Sequence, residues 1–359
     1  MDVSHILDGL NDAQRQAVAA PMQNLLILAG AGSGKTRVLV HRIAWLIKIE
    51  RLSPSAIMAV TFTNKAAKEM RGRIEDLLKL PGRNLWFGTF HGIAHRLLRA
   101  HSRDAKLPEN FQILDSDDQL RIVKRIMREN NVDETRWPPK QVQSFINGKK
   151  DEGLRAAYLP PSHSQYDQVM AKLYLAYENQ CQQSGMVDFG ELLLRSHELW
   201  LNNPALLAHY QDRFRYLLVD EFQDTNTIQY AWLRVLAGDR IPIMVVGDDD
   251  QSIYGWRGAK IENIQQFEHD FQRPLCIKLE QNYRSTSTIL NAANALIQNN
   301  SGRLGKDLWT DGNEGEPIDL YAAFNEQDEA NYIADRITVW VNQGRDRSEC
   351  AILYRSNAQ

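Results

Sequence analysis

Leu25-Leu26-Ile27-Leu28-Ala29-Gly30-Ala31-Gly32-Ser33-Gly34-Lys35-Thr36 is the stretch on which the fold turns. Its apolar start, without polar alternation, reads as a strand buried on both faces. Glycines at alternate positions then let the chain turn tightly, and amphipathic sequence over Thr36–Ile49 reads as a helix. Strand, glycine loop and helix in that order make a phosphate-gripping loop, whose backbone N–H groups curl round an anion at a helix N-terminus. Ala29 stands where the general pattern has its first glycine. The pattern places the Lys35 ammonium on the β- and γ-phosphates and the Thr36 hydroxyl on Mg²⁺. ATP and Mg²⁺ are therefore the expected ligands.

Working outward, further apolar runs at Ile57–Val60, Leu217–Val219, Ile241–Val246 and Cys276–Leu279 read as buried strands separated by amphipathic stretches. This alternation predicts an α/β fold with a parallel sheet covered on both faces. Residues 90–214 differ, with helical periodicity and no comparable strand run, and read as a helical insertion. Within it Ser116-Asp117-Asp118-Gln119 reads as a capping box. Arg121, Lys124, Arg125 and Arg128 then share one helix face, either a solvated face or a contact with duplex DNA. After Tyr283 a new unit begins, with apolar runs at Ile318–Tyr321 and Ala351–Tyr354 read as strands of an unfinished sheet.

At 359 residues, two or three domains are expected. No apolar run reaches the ~18–20 residues that span a bilayer. Cys181, Cys276 and Cys350 are too far apart for a metal site or a disulfide framework, so a cytoplasmic location is expected. A net charge of −3 excludes a chain-wide basic footprint, so any nucleic-acid site must be a local groove.

Hydrolysis needs an anionic metal ligand and a base. Asp220 and Glu221, at the end of an apolar run, offer both: Asp220 for Mg²⁺, Glu221 for the attacking water. The next run ends in Gly247-Asp248-Asp249-Asp250-Gln251. Gln251 is placed to contact the γ-phosphate, since side chains leaving neighbouring parallel strands converge at one sheet edge. The three aspartates alternatively form an acidic loop for a cation.

Together these residues resemble the N-terminal half of the UvrD/Rep/PcrA family of superfamily 1 DNA helicases. The motifs run in the family's order: Leu10–Gln14 (Q motif), Thr61–Ala67 (Ia), Gly88–Gly92 (Ic), Val219–Asn226 (II), Val246–Ala259 (III) and Leu279–Ser285 (IV). The resemblance implies RecA-like motor domains: 1A at residues 1–89 plus 215–280, helical insertion 1B at 90–214, and an incomplete 2A at 281–359. It implies an ATP site of Gln14 at the adenine edge, the loop Ala29, Gly30, Ala31, Gly32, Ser33, Gly34, Lys35 and Thr36, then Arg37, with Tyr283 stacked on adenine. Arg284 would be an arginine finger. Without the resemblance, Gln14 reads as the third residue of a helix capping box begun by Asn11.

Single strands are held by aromatic platforms in a basic groove. Tyr254, Trp256 and Arg257 lie among glycines in motif III, and Phe62 and Phe189 match base-stacking positions that the resemblance implies. His91, Arg96 and Arg355 are further contacts to the strand or its phosphates. The resemblance implies 3′-to-5′ movement on single-stranded DNA in DNA repair, junctions of single- and double-stranded DNA as substrate, repair-protein partners, no membrane, and a monomer or weak dimer. The chain ends inside motif IVa, so motifs V and VI are expected to be missing and unwinding impaired.

Overall fold

A computed structural model describes residues 4–79 and 85–354, the Arg257 side chain excepted. Eight strands are present among them: β1 Leu25–Ala29, β2 Ile57–Thr61, β3 Trp86–Thr89, β4 Gln112–Ile113, β5 Met186–Val187, β6 Tyr216–Val219, β7 Ile243–Gly247 and β8 Leu275–Leu279. Six form one sheet in the order β3-β2-β6-β7-β1-β8, and every pairing in it is parallel. The parallel α/β architecture read from the sequence is present. β3 was not among the expected strands; four residues that include a glycine give too short an apolar run.

The uninterrupted apolar runs have a direct cause. Leu26, Leu28, Met58, Val60, Leu217, Val219, Ile243 and Val245 point into one apolar cluster. Their alternates Leu25, Ile27, Ile57, Ala59, Leu218, Met244 and Val246 point into another on the opposite face. With a side-chain period of two and helices on both faces, these inner strands need apolar side chains throughout, whereas the edge strand β8, read as buried, exposes Cys276 and Lys278. Helices Asp12–Ala19, Lys35–Lys48 and Asn64–Leu78 supply the second cluster, while Phe90–Ala100, Phe189–Asn202, Thr227–Ala237 and Glu262–Asp270 supply the first.

Helices Ser116–Glu129, Pro139–Asp151 and Gln165–Ser184 share a third, separate core that includes Val123, Ile146, Tyr174 and Tyr177. Strands β4 and β5 pair at the neck of this unit. Buried Lys150 pins the neck, 2.7 Å from Asp188 and 3.0 Å from Glu191, and Arg155 reaches Glu191 at 2.6 Å. Helices Phe90–Ala100 and Phe189–Asn202 belong to the sheet's own core, although they fall within 90–214. The cap of the first insertion helix is Asp115, whose side chain accepts from Asp118 N at 2.8 Å, one residue before the box read at Ser116. Arg121 and Arg128 on that helix pair with Asp118 and Glu134, and Arg125 lies 3.9 Å from Glu129.

Beyond β8, helix Ser287–Ile297 buries Leu290, and helix Glu326–Asn342 buries no side chain. The strands expected at Ile318–Tyr321 and Ala351–Tyr354 are not formed. Leu320 is 97% exposed and Leu353 94%, with no neighbouring strand among the described residues to take their backbone groups. No helix among the described residues is long and apolar enough to cross a membrane.

Candidate active site and nucleic-acid interface

Because the strands are parallel, everything that follows each of them collects at one edge of the sheet. Sheet order divides that edge. β7, β1 and β8 lie together at one end; β3, β2 and β6 lie at the other.

At the first end, β1 runs into the glycine loop and the helix Lys35–Lys48. Ala29 is still extended, in register with Leu279 of β8, so this position has no need of the glycine that the general pattern puts there. Positive φ falls instead on Gly32 (67°) and Gly34 (87°), the latter capping the helix in the left-handed region without any side-chain cap. The loop is braced from two sides. Buried Gln14 donates to Ser33 O at 2.8 Å while its carbonyl accepts from Asn11 N at 3.1 Å, completing the Asn11–Gln14 capping box. From the other side Asn282 donates to Ala31 O at 2.6 Å, and Tyr283 N donates to Gly32 O at 3.0 Å. A Cβ on Gly32 would lie 2.9 Å from the Arg284 Cβ, which sets that residue beside the loop. The Tyr283 ring is exposed, and its hydroxyl accepts from the Asn11 amide at 2.8 Å. Arg37 is exposed on the first turn of the helix.

Lys35 Nζ is 3.8 Å from Glu221 Oε2 and 3.8 Å from Asp248 Oδ2. The ammonium is thus shared between the strand ends of β6 and β7. Glu221 has φ 49° and ψ 45°, a left-handed conformation that a glutamate adopts only under constraint. Gln223, buried, supplies part of that constraint: it donates to Glu221 Oε2 at 2.9 Å and accepts from Asp248 N at 3.0 Å. Sequence reasoning gave Gln223 no role, and no local signal marks it. Burial, reinforced by the charge of Glu221, pushes the Asp220 carboxyl up to about 7. A carboxylate so placed fits a divalent cation, which would hold it ionised. Thr36, next to Lys35 in the first turn, can offer its hydroxyl. Gln251 donates to Asp248 Oδ2.

At the other end lies a groove of about 750 Å³ between the sheet edge and the three-helix unit. Phe62, His91, Phe189, Tyr254 and Trp256 all line it. Phe62 and Tyr254 stack at 6.4 Å with 13° between planes, Trp256 follows at 6.4 Å from Tyr254, and His91 meets Phe189 edge-on at 5.8 Å. Trp256 is 74% exposed and Phe189 52%, so these large rings are not core residues. Burial lowers the His91 pKa. The groove also contains Asp151 and Asp224, each pushed up to about 6, first by burial. Arg96 lies outside it, stacked on Trp86 at 4.0 Å. Arg355 and the Arg257 side chain lie outside the described residues.

The segments that build both ends match known families. Residues 10–272 match the UvrD/REP helicase N-terminal domain and residues 277–359 the UvrD-like helicase C-terminal domain. The chain is 64% identical to DNA helicase II of Escherichia coli over 359 residues, 100% of this chain and 50% of the relative. It is 58% identical over 363 residues to DNA helicase II of Haemophilus influenzae, covering 50% of that protein. Against ATP-dependent DNA helicase PcrA of Staphylococcus aureus it is 42% identical over 355 residues, 99% of this chain and 49% of the relative. The chain therefore spans about half the length of these relatives, and it belongs to the UvrD/REP helicase family.

Proposed function

We propose that the chain binds Mg²⁺–ATP at the β7-β1-β8 end of the sheet and single-stranded DNA in the aromatic groove. In the whole protein, hydrolysis at the first site would drive 3′-to-5′ movement along the second, in DNA repair of the nucleotide-excision and mismatch type. The observation that carries this reading is the arrangement around Lys35: one ammonium shared by Glu221 and Asp248, beside a loop whose glycines take left-handed backbone angles.

In this mechanism the loop amides from Ala29 to Thr36 cradle the phosphates, and Lys35 exchanges a carboxylate for the β- and γ-phosphate oxygens. Thr36 and Asp220 would hold Mg²⁺, which supplies positive charge to the phosphates when bound. Glu221, freed from Lys35, orients the attacking water and takes its proton. Gln251 reads the γ-phosphate, and Arg284 offsets charge that develops there. Gln14, Arg37 and Tyr283 border the nucleotide. Bases rest on Trp256, Tyr254, Phe62 and Phe189, with His91, Arg257 and Arg355 as additional contacts. Motif III links the two events, because Gln251 and Trp256 lie on one loop after β7.

We assign residues 1–89 plus 215–280 to 1A, 90–214 to 1B and 281–359 to part of 2A. A second reading is nucleotide and DNA binding without processive unwinding. The helix Glu326–Asn342, which buries no side chain, favours it for the isolated chain. Phosphate release with and without single-stranded DNA tests the two. DNA-stimulated release that disappears in Glu221→Gln supports the motor, whereas binding without release supports the second reading.

A further inference from the structure

The three aspartates that follow β7 already hold a cation, and it is a side chain. Their carboxylate oxygens lie within 4.8 Å of one another. Into that cluster the 303–308 segment, far along the chain, inserts Lys306, which is 4% exposed. Its ammonium lies 2.7 Å from Asp248 Oδ1 and 3.0 Å from Asp250 Oδ2, and it donates to Asp249 Oδ1. Three carboxylates thus take all three of its protons. Arg303 closes the outer side with two bonds to Asp250, 2.8 and 2.9 Å, and Leu304 N donates to Asp249 Oδ2 at 2.9 Å.

Asp248 is where this clasp meets the nucleotide site. One of its oxygens faces Lys306; the other faces Lys35 and accepts from Gln251. We propose that Lys306 is a positioning residue of the nucleotide site, drawing enough of the Asp248 charge to leave Lys35 available to a γ-phosphate and Gln251 aimed at it. The proposal deepens the Mg²⁺–ATP reading and rests on it. Without Lys306, Asp248 would turn its uncompensated charge on Lys35, 3.8 Å from it. Lys35 would then be withdrawn from Glu221 and from any phosphate. The segment carrying Lys306 follows motif IV, whose Asn282 and Tyr283 brace the glycine loop, so a shift of that segment would reach the nucleotide from both sides.

The test is the affinity of the 359-residue chain for Mg²⁺–ATP and for Mg²⁺–ADP, measured by calorimetry alongside melting temperature. Lys306→Met is expected to weaken ATP binding about tenfold and ADP binding less than about threefold, because the γ-phosphate is what Lys35 and Gln251 read. Should that variant fail to fold, Lys306→Met with Asp249→Asn removes one of the stranded charges. The double variant is expected to recover the melting temperature while ATP stays no better bound than ADP. Arg303→Gln, which loses the bonds to the outer aspartate and to the Lys306 carbonyl but leaves the Lys306 ammonium among the three carboxylates, is expected to change both affinities less than about twofold. Recovery of both melting temperature and ATP affinity in the double variant would reduce the clasp to a structural staple and overturn the proposal. Equal losses for ATP and ADP, or no loss in Lys306→Met, would overturn it as well. If the unsubstituted chain binds neither nucleotide, the ATP reading fails first and takes the proposal with it.

Discussion

The two ends of the sheet edge are built on opposite principles. Around the glycine loop, where the ends of β1, β6 and β7 meet, the working groups are charges largely withdrawn from water: Lys35 between Glu221 and Asp248, Asp248 held in turn by Lys306, and Glu221 held by Gln223. In the groove against the three-helix unit they are rings that water reaches, Trp256 and Phe189 foremost. Buried charges depend on one another, so removing one disturbs several. Exposed rings that do not touch each other, such as Trp256 and Phe189, contribute separately, and their contributions add. A γ-phosphate must be met by a few groups in fixed places, whereas a sliding strand must be held without preference for its bases. The contrast follows from what each end has to hold.

The largest expected effect strikes the charged end. Glu221→Gln should lower DNA-stimulated ATP hydrolysis by about 10²–10⁴-fold, because a general base is lost, while ATP affinity changes little. Phosphate release compared with equilibrium binding checks this. Equal losses in both would mean that Glu221 supports the site and does no chemistry. Gly34→Ala comes next. The backbone there has φ 87°, and a Cβ would lie 2.8 Å from the Gln14 amide. About 1–2 kcal/mol of strain should appear in denaturant titration, together with weaker nucleotide binding and unchanged DNA binding.

At the aromatic end Trp256→Ala should weaken binding of a short single-stranded oligonucleotide by about 1–3 kcal/mol and leave ATP affinity unaltered. Fluorescence anisotropy reads this directly. Combined with Phe189→Ala, the losses should add to within about 0.5 kcal/mol; Phe62 and Tyr254, already stacked on each other, should not add. Strong coupling between Trp256 and Phe189 would blur the contrast between the two ends.

The smallest effect is one of pH. Asp151, partly exposed and bonded to the Asn226 amide at 2.9 Å, is raised from 3.8 to about 6, burial being the main cause. The native chain keeps this proton between about pH 4 and 6 where the unfolded chain has lost it, so stability falls as pH rises through that window. Asp151→Asn should therefore match the parent at pH 4 and exceed it at pH 8 by on the order of 1 kcal/mol, the full shift being discounted for partial exposure. Thermal melts at the two values check the sign.

Both ends were legible in the sequence wherever their signals were local. The glycine loop, Asp220–Glu221 and the glycine-flanked Trp256 each occupy a few adjacent residues, and each residue type is chosen by chemistry at that spot. What was not legible depends on distance along the chain. Lys306 meets Asp249 across 57 residues, and Asn282 meets Ala31 across 251. No periodicity announces such pairs, and one lysine in a polar stretch looks like any other. The cation sought for the three aspartates thus lay in the sequence itself. Ile318–Tyr321 and Ala351–Tyr354 were misread for the converse reason. Apolar composition marks a strand only if a neighbour accepts its hydrogen bonds, and composition cannot say whether one does. Nor does periodicity tell helix Phe189–Asn202, which packs on the sheet, from the helices within 90–214 that build a separate core.

The central claim is that the loop from Ala29 to Thr36 grips a triphosphate through Lys35. The direct test is equilibrium binding of Mg²⁺–ATP to the purified 359-residue chain and to Lys35→Ala. We expect saturable binding by the first and at least about a hundredfold weaker binding by the second, at unchanged melting temperature without nucleotide. Absence of binding by the parent, or equal affinity in the variant, would contradict the account.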